Sequence, residues 1–195
     1  QEAVLAAPDA VGDTEEQLRA AVADAGVDLR REGLPQVRTL GRIFSAAVQR
    51  ELSVEQALML RWPQHHHHRA VIERIGAAFV ARKQAAGYVD FDDLLVGWSL
   101  LADPPSEASE VLVGASHALR SQFVEVLVDE YQDTNAIQGR IAEAMAREHG
   151  GLTVVGDDCQ GIYGFRGADA QNLLGFGARF EGAERCLLTL NYRST

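Results

Sequence analysis

The chain has 195 residues, 47% of them hydrophobic, and a formal net charge of −10. That length allows one domain, or one lobe with an insertion, and the apolar fraction suffices for a core. No apolar run approaches the ~18 residues of a membrane span and the start lacks the basic-then-apolar order of a signal peptide, so no membrane association is expected.

The first half reads as helices. Thr14-Glu-Glu-Gln17 has a capping-box pattern, and Gly26 suits a helix stop. A second helix is predicted over 40–51. Ser53-Val-Glu-Gln56 opens a short third one that Pro63 ends. His65 to His68 form the one low-complexity tract. Four consecutive side chains converge poorly on one metal ion, so a surface linker is the better reading. Over 68–86, Val71, Ile72, Ile75, Ala78 and Phe79 fall on one stripe of a long helix, and Gly87 closes it. Asp90 caps a helix through 101, Pro104-Pro105 marks a loop, and 106–121 is predicted helical.

After that the rhythm changes. Strand 124–128, helix 135–148, strand 152–155, helix 169–180 and strand 186–190 alternate, the signature of a parallel sheet with crossover helices. The expected class is therefore α/β: a mainly helical segment over 1–121, then an α/β core over 122–195. The two cysteines, Cys159 and Cys186, have no metal spacing and no disulfide framework. On the strand reading they lie at opposite edges of the sheet, so they are expected to be unbonded, and the compartment reads as cytoplasmic.

Chemistry concentrates after the predicted strands. The run 124–128 ends in adjacent carboxylates, Asp129 and Glu130. Acids at the carboxyl end of a parallel strand face the crevice where α/β folds bind ligands. One carboxylate there can hold Mg²⁺, usually through water, and the next can take a proton from an attacking water. This is the Walker B arrangement of nucleotide hydrolases. The plain alternative is a strand that exits into an acidic turn. A second segment, 152–168, runs from an apolar strand into a Gly-Asp turn and presents Gln160, Tyr163, Phe165 and Arg166 on a glycine-punctuated loop. A third, 187–195, carries Asn191, Tyr192 and Arg193.

In this order, the three segments strongly resemble motifs II, III and IV of the UvrD/Rep-type superfamily 1 DNA helicases. Asp90-Phe-Asp-Asp-Leu-Leu95 resembles the acidic segment upstream of motif II. Val37-Arg-Thr-Leu40 is a weaker match to the segment written V-x-T-x-H-S-F, with Gly41 and Arg42 in place of His-Ser. The resemblance implies that 122–195 belongs to a RecA-like P-loop NTPase lobe with ATP and Mg²⁺ as cofactors. By the same resemblance, Asp129 holds Mg²⁺ with Glu130 beside it, and Glu130 polarises the attacking water. Gln160 senses the terminal phosphate, Tyr192 stacks on adenine, and Arg193 stabilises charge on the transferring phosphate. Tyr163 and Phe165 meet the bases of single-stranded DNA, with core packing as their rival, and Arg166 couples the DNA and nucleotide faces. Gln132 and Asp133 organise the first turn after the strand or cap the next helix. Cys159 stands where an acid is common, and Gly161 where serine is common.

A P-loop needs G-x-x-x-x-G-K-[ST], and the one lysine, Lys83, lies in a helical stretch without a glycine loop. Either the chain begins beyond the P-loop or the loop is lost. Its partners would then be a P-loop segment, a second motor lobe and single-stranded DNA, bound weakly because the net charge opposes phosphate. The leading expectation is part of an ATP-dependent DNA helicase, inactive by itself. Two alternatives stay open: a degenerate helicase-like module that binds DNA or a protein without hydrolysis, and a RecB/AddA-type helicase–nuclease fragment.

Overall fold

The computed structural model describes residues 14–160, 171–180 and 182–190. Six helices come first: α1 (Thr14–Asp24), α2 (Val37–Gln49), α3 (Val54–Arg61), α4 (Arg69–Ala86), α5 (Phe91–Ala102) and α6 (Glu110–Arg120). Then β1 (Val126–Val128), α7 (Ala136–Ala146) and β2 (Leu152–Val154) make a strand–helix–strand unit, and α8 (Gln171–Leu174) and α9 (Phe176–Arg179) follow. No helix among the described residues is long and apolar enough to cross a membrane.

Local chemistry explains most boundaries. Ser53 caps α3 in a reciprocal box with Gln56, Asp90 caps α5 with Asp93, and Asn135 caps α7 with Gln138. Gly87 ends α4 at φ 61, a left-handed conformation that costs glycine little. Thr14 does not act as a cap. It is the first residue of α1, and its hydroxyl meets the Tyr88 hydroxyl at 3.1 Å.

α1 to α4 enclose one apolar core. Leu18 from α1, Leu40 and Ile43 from α2, Leu58 from α3, and Ile72, Ile75 and Phe79 from α4 meet there. The stripe on α4 faces inward as its spacing predicts, with Val71 and Ala78 at its margins. Gly76 lets Phe44 lie against the same helix, because a Cβ there would sit 3.0 Å from the Phe44 ring. Val37 and Leu40 are buried members of this core.

A second, smaller core forms where Ala102, Ala144 and Met145 pack with Leu119, Val126 and Ile141. α5 and α6 thus pack with α7 and the sheet. One polar side chain joins the cores: Arg140 on α7 donates to the buried Ser99 hydroxyl of α5 at 2.8 Å within the second core, and it reaches the first by pairing with Glu51 beyond α2 at 2.7 Å. The strands run parallel in the register Val126↔Leu152, Leu127↔Thr153 and Val128↔Val154.

Four sequence expectations need correction. The apolar run 124–128, which reads as a buried strand, is a strand over Val126–Val128 and is not buried: Leu127 is 72% exposed, because among the described residues the helices cover one face of the sheet. Residues 186–190 form no strand. Leu187 and Leu188 lie open to solvent and no described neighbour offers a hydrogen-bond ladder, without which an apolar run does not become a strand. The helix expected over 169–180 is broken at Gly175, which separates α8 from α9 and carries glycine's entropic penalty. His65 to His68 sit in a 3₁₀ turn, Pro63–His68, rather than a linker, with His66 Nε2 3.4 Å from Glu55 Oε1. No group of metal-capable side chains is present among the described residues. Cys159 and Cys186 are exposed and form no disulfide.

Candidate active site

The parallel register brings the carboxyl ends of β1 and β2 to one edge. Val155 N–H donates to Val128 O at 2.8 Å, and Tyr131 N–H donates to Val155 O at 2.9 Å. The ladder therefore continues past both strands, and the two loops leave it side by side. One loop carries Asp129 and Glu130; the other runs from Gly156 to Gln160.

Asp129 and Glu130 are exposed. Asp129 Oδ1 accepts the N–H of Glu130 at 2.8 Å. Glu130 adopts φ 50, ψ 42, left-handed backbone at a non-glycine residue. Such a conformation costs about 1–3 kcal/mol and persists where the surroundings impose it. It turns the chain sharply from the strand into the 3₁₀ turn Tyr131–Asp133.

Gln132 joins the two loops. Its side-chain Nε2 donates to Glu130 Oε2 at 2.6 Å, and its Oε1 accepts the Asp157 N–H at 3.1 Å. The Asp157 carboxylate accepts from Cys159 N–H at 3.0 Å and from Gln160 Nε2 at 2.7 Å. Glu130 and Gln160 are thus connected through Gln132 and Asp157. Gln132 is only 1% exposed, so both ends of its amide need partners, and they have them. Neither Gln132 nor Asp133 caps the next helix, since Asn135 does. Gly156 allows the contact: a Cβ there would lie 2.5 Å from Gln132 Oε1.

Beneath the acidic turn, Tyr131 is fully buried with its ring edge-on to Phe176 at 5.8 Å. Burial raises its hydroxyl pKa, with Arg179 opposing and Glu143 adding to the rise. Arg179 donates toward the Tyr131 hydroxyl at 3.4 Å and pairs with Glu143 at 2.9 Å. Asn172 donates to Thr134 O at 3.1 Å. α8 and α9 therefore brace the turn that carries the carboxylates.

The structure brings Asp129, Glu130 and Gln160 to one edge of the sheet. Tyr163, Phe165, Arg166, Tyr192 and Arg193 lie outside the described residues. Gln132 joins the loops, a part that no spacing in the sequence assigns to it; the Asn135–Gln138 capping box shows only that it is not the helix cap.

Residues 6–181 match the family model of the UvrD/REP helicase N-terminal domain. The chain is 39% identical to DNA helicase II of Escherichia coli strain K12 over 126 residues, covering 63% of this chain. It is 39% identical to the ATP-dependent DNA helicase PcrA of Leuconostoc citreum over 124 residues, covering 64% of this chain. It is 34% identical to PcrA of Staphylococcus aureus strain Mu50 over 129 residues, 66% of this chain. The matched stretch spans 16%, 16% and 17% of those relatives. With the family model matching most of its length and motif-bearing loops meeting at one sheet edge, the chain belongs to the UvrD/REP helicase N-terminal domain family.

Proposed function

We propose that this chain forms the part of an ATP-driven DNA helicase motor that activates water and senses the terminal phosphate. In this reading 122–195 is part of a RecA-like core, preceded by the helical segment 1–121, with α5 and α6 lending their inner faces to that core. The parent protein couples ATP hydrolysis to translocation on single-stranded DNA and duplex unwinding. The observation that carries the reading is the connected set Glu130–Gln132–Asp157–Gln160 beside Asp129, at the carboxyl edge of parallel strands.

The donor set suits Mg²⁺. Asp129 offers exposed carboxylate oxygen, the hard ligand this ion prefers, and ample room for the waters it retains. A bound Mg²⁺ would neutralise charge on the phosphates of ATP. Asp129 would hold it, with Glu130 alongside. Glu130 would orient the attacking water and accept its proton. Gln160 can both donate to a phosphate oxygen and accept from water. Tyr192 would stack on adenine and Arg193 would offset developing phosphate charge. Tyr163, Phe165 and Arg166 would meet single-stranded DNA. A P-loop segment and a second lobe would complete the motor, so the chain alone is expected to show no DNA-stimulated ATP hydrolysis.

The test is a chimera in which this chain replaces the matching segment of E. coli DNA helicase II. Hydrolysis of ATP should be DNA-dependent, and Glu130→Gln should lower kcat by about 100-fold or more. A folded chimera that binds DNA and ATP, yet keeps the same kcat after the Glu130→Gln change, would overturn the reading.

A further inference from the structure

We propose that Gln132 is a positioning residue that ties the orientation of the Glu130 carboxylate to the loop bearing Gln160, so that the water-activating and phosphate-sensing groups move as one unit. The mechanistic part rests on the function proposed above; the coupling itself rests on geometry. An amide is suited to the place, because it donates at one end and accepts at the other. The donor end meets Glu130 Oε2 and the acceptor end meets a backbone N–H, that of Asp157. A backbone contact transmits displacement to the whole loop. Asp157 then holds the Gln160 amide through its own carboxylate, with the loop's Cys159 N–H on the other oxygen.

Three further observations support a dedicated link rather than an incidental one. Gln132 is buried while both groups it connects are exposed, so the link is shielded where its ends are free to meet a ligand. Glu130 is held in left-handed backbone, which fixes where its side chain leaves the strand. Gly156 leaves room for Gln132 Oε1 where any side chain would collide with it. A glutamate at position 132 would keep the size but lose the donor and set two carboxylates together. A methionine would keep much of the shape and lose both bonds.

The experiment uses this chain and NMR, and needs no ATP. In a Glu130→Ala variant, the Asp157 backbone amide and Gln160 side-chain amide signals should move. Compared between Gln132→Met and the Glu130→Ala/Gln132→Met double variant, the same signals should stay in place. Equal movement in both backgrounds, or none in the native background, would overturn the proposal. If Gln132→Met fails to fold, Glu130→Ala in the otherwise unaltered chain decides: the Gln132 side-chain amide, the Asp157 backbone amide and the Gln160 side-chain amide should all move, and a Gln132 amide that moves without the other two refutes the link. A failed chimera with a positive NMR result would count against the helicase reading alone.

Discussion

Lys83 Nζ lies 2.8 Å from Asp90 Oδ2, an ion pair formed where both residues are less than a tenth exposed. Asp93 Oδ2 approaches the same ammonium at 2.6 Å, and the Phe79 ring lies 4.7 Å away. The two aspartates also form the capping box of α5. The only lysine of the chain therefore joins the end of α4 to the start of α5, and so the helical core to the elements that support the sheet.

Removing that cation strands two carboxylates in a largely buried site. Lys83→Met should destabilise the chain by about 3–5 kcal/mol, the range for breaking one side of a buried pair. Urea denaturation measures it; a loss below about 1 kcal/mol, the ceiling for an exposed pair, would show that water reaches the aspartates freely. Burial disfavours the Lys83 charge, but the hydrogen bonds and charges of Asp90 and Asp93 outweigh it and raise its pKa above 10.5. A raised lysine pKa gives stability that is fully present below the unfolded value and lost as pH rises through the folded one. The native chain should therefore lose stability at high pH by a step that Lys83→Met lacks.

Asp92 presents the opposite case. Burial raises its carboxyl pKa, bonds from Gln49 and Ser45 oppose the rise, Asp90 adds to it and Lys83 subtracts. The folded state thus holds this proton more tightly than the unfolded chain. Stability is lost as pH climbs from the usual aspartate range through the raised value. Asp92→Asn keeps an acceptor for Gln49 Nε2, which now bonds Oδ1 at 2.8 Å. It should raise the Tm at neutral pH, with the gain shrinking as pH falls toward about 4. A gain that is the same in both conditions would point to packing instead.

Gly156→Ala tests the contact between the loops by steric means. The added methyl would lie 2.5 Å from Gln132 Oε1 and 3.1 Å from Leu173, so something must shift. The expected cost is about 1–3 kcal/mol, typical of overpacking. Thermal melts with and without Gln132→Ala should show that cost shrink once the facing side chain is gone, because the two changes share one contact. Full additivity would place the strain elsewhere.

The features legible in the sequence are those set by neighbours in the chain. Ser53, Asp90 and Gly87 mark their helix ends because capping is decided within a few residues. Asp129 and Gln160 could be placed on one edge because parallel strands joined by a crossover helix align their carboxyl ends. What was not legible depends on distant partners. Leu187 to Leu190 has strand composition, yet a strand exists only beside another strand. The Gln132–Asp157 bond spans 25 residues, and no spacing rule foresees it. Which sheet face the described helices cover likewise depends on where they return to pack.

Tyr163, Phe165 and Arg166, which follow Gln160 in the sequence, are proposed to contact single-stranded DNA. Aromatic stacking contributes about 1–3 kcal/mol per base and tolerates any sequence. The net charge of −10 works against it, since phosphate binding draws on Lys and Arg and is screened by salt. Two stacked bases against that charge give weak binding, detectable at low salt and stronger for single strands than for duplexes. Fluorescence anisotropy of labelled oligonucleotides should show this, and Tyr163→Ala/Phe165→Ala should lower affinity by about 30-fold or more, the loss expected for two rings at the lower stacking value. If the double variant keeps its Tm and binds as well as the native chain, the rings do not contact DNA. If its Tm falls sharply, they are core residues, and the DNA contact must be sought on another surface.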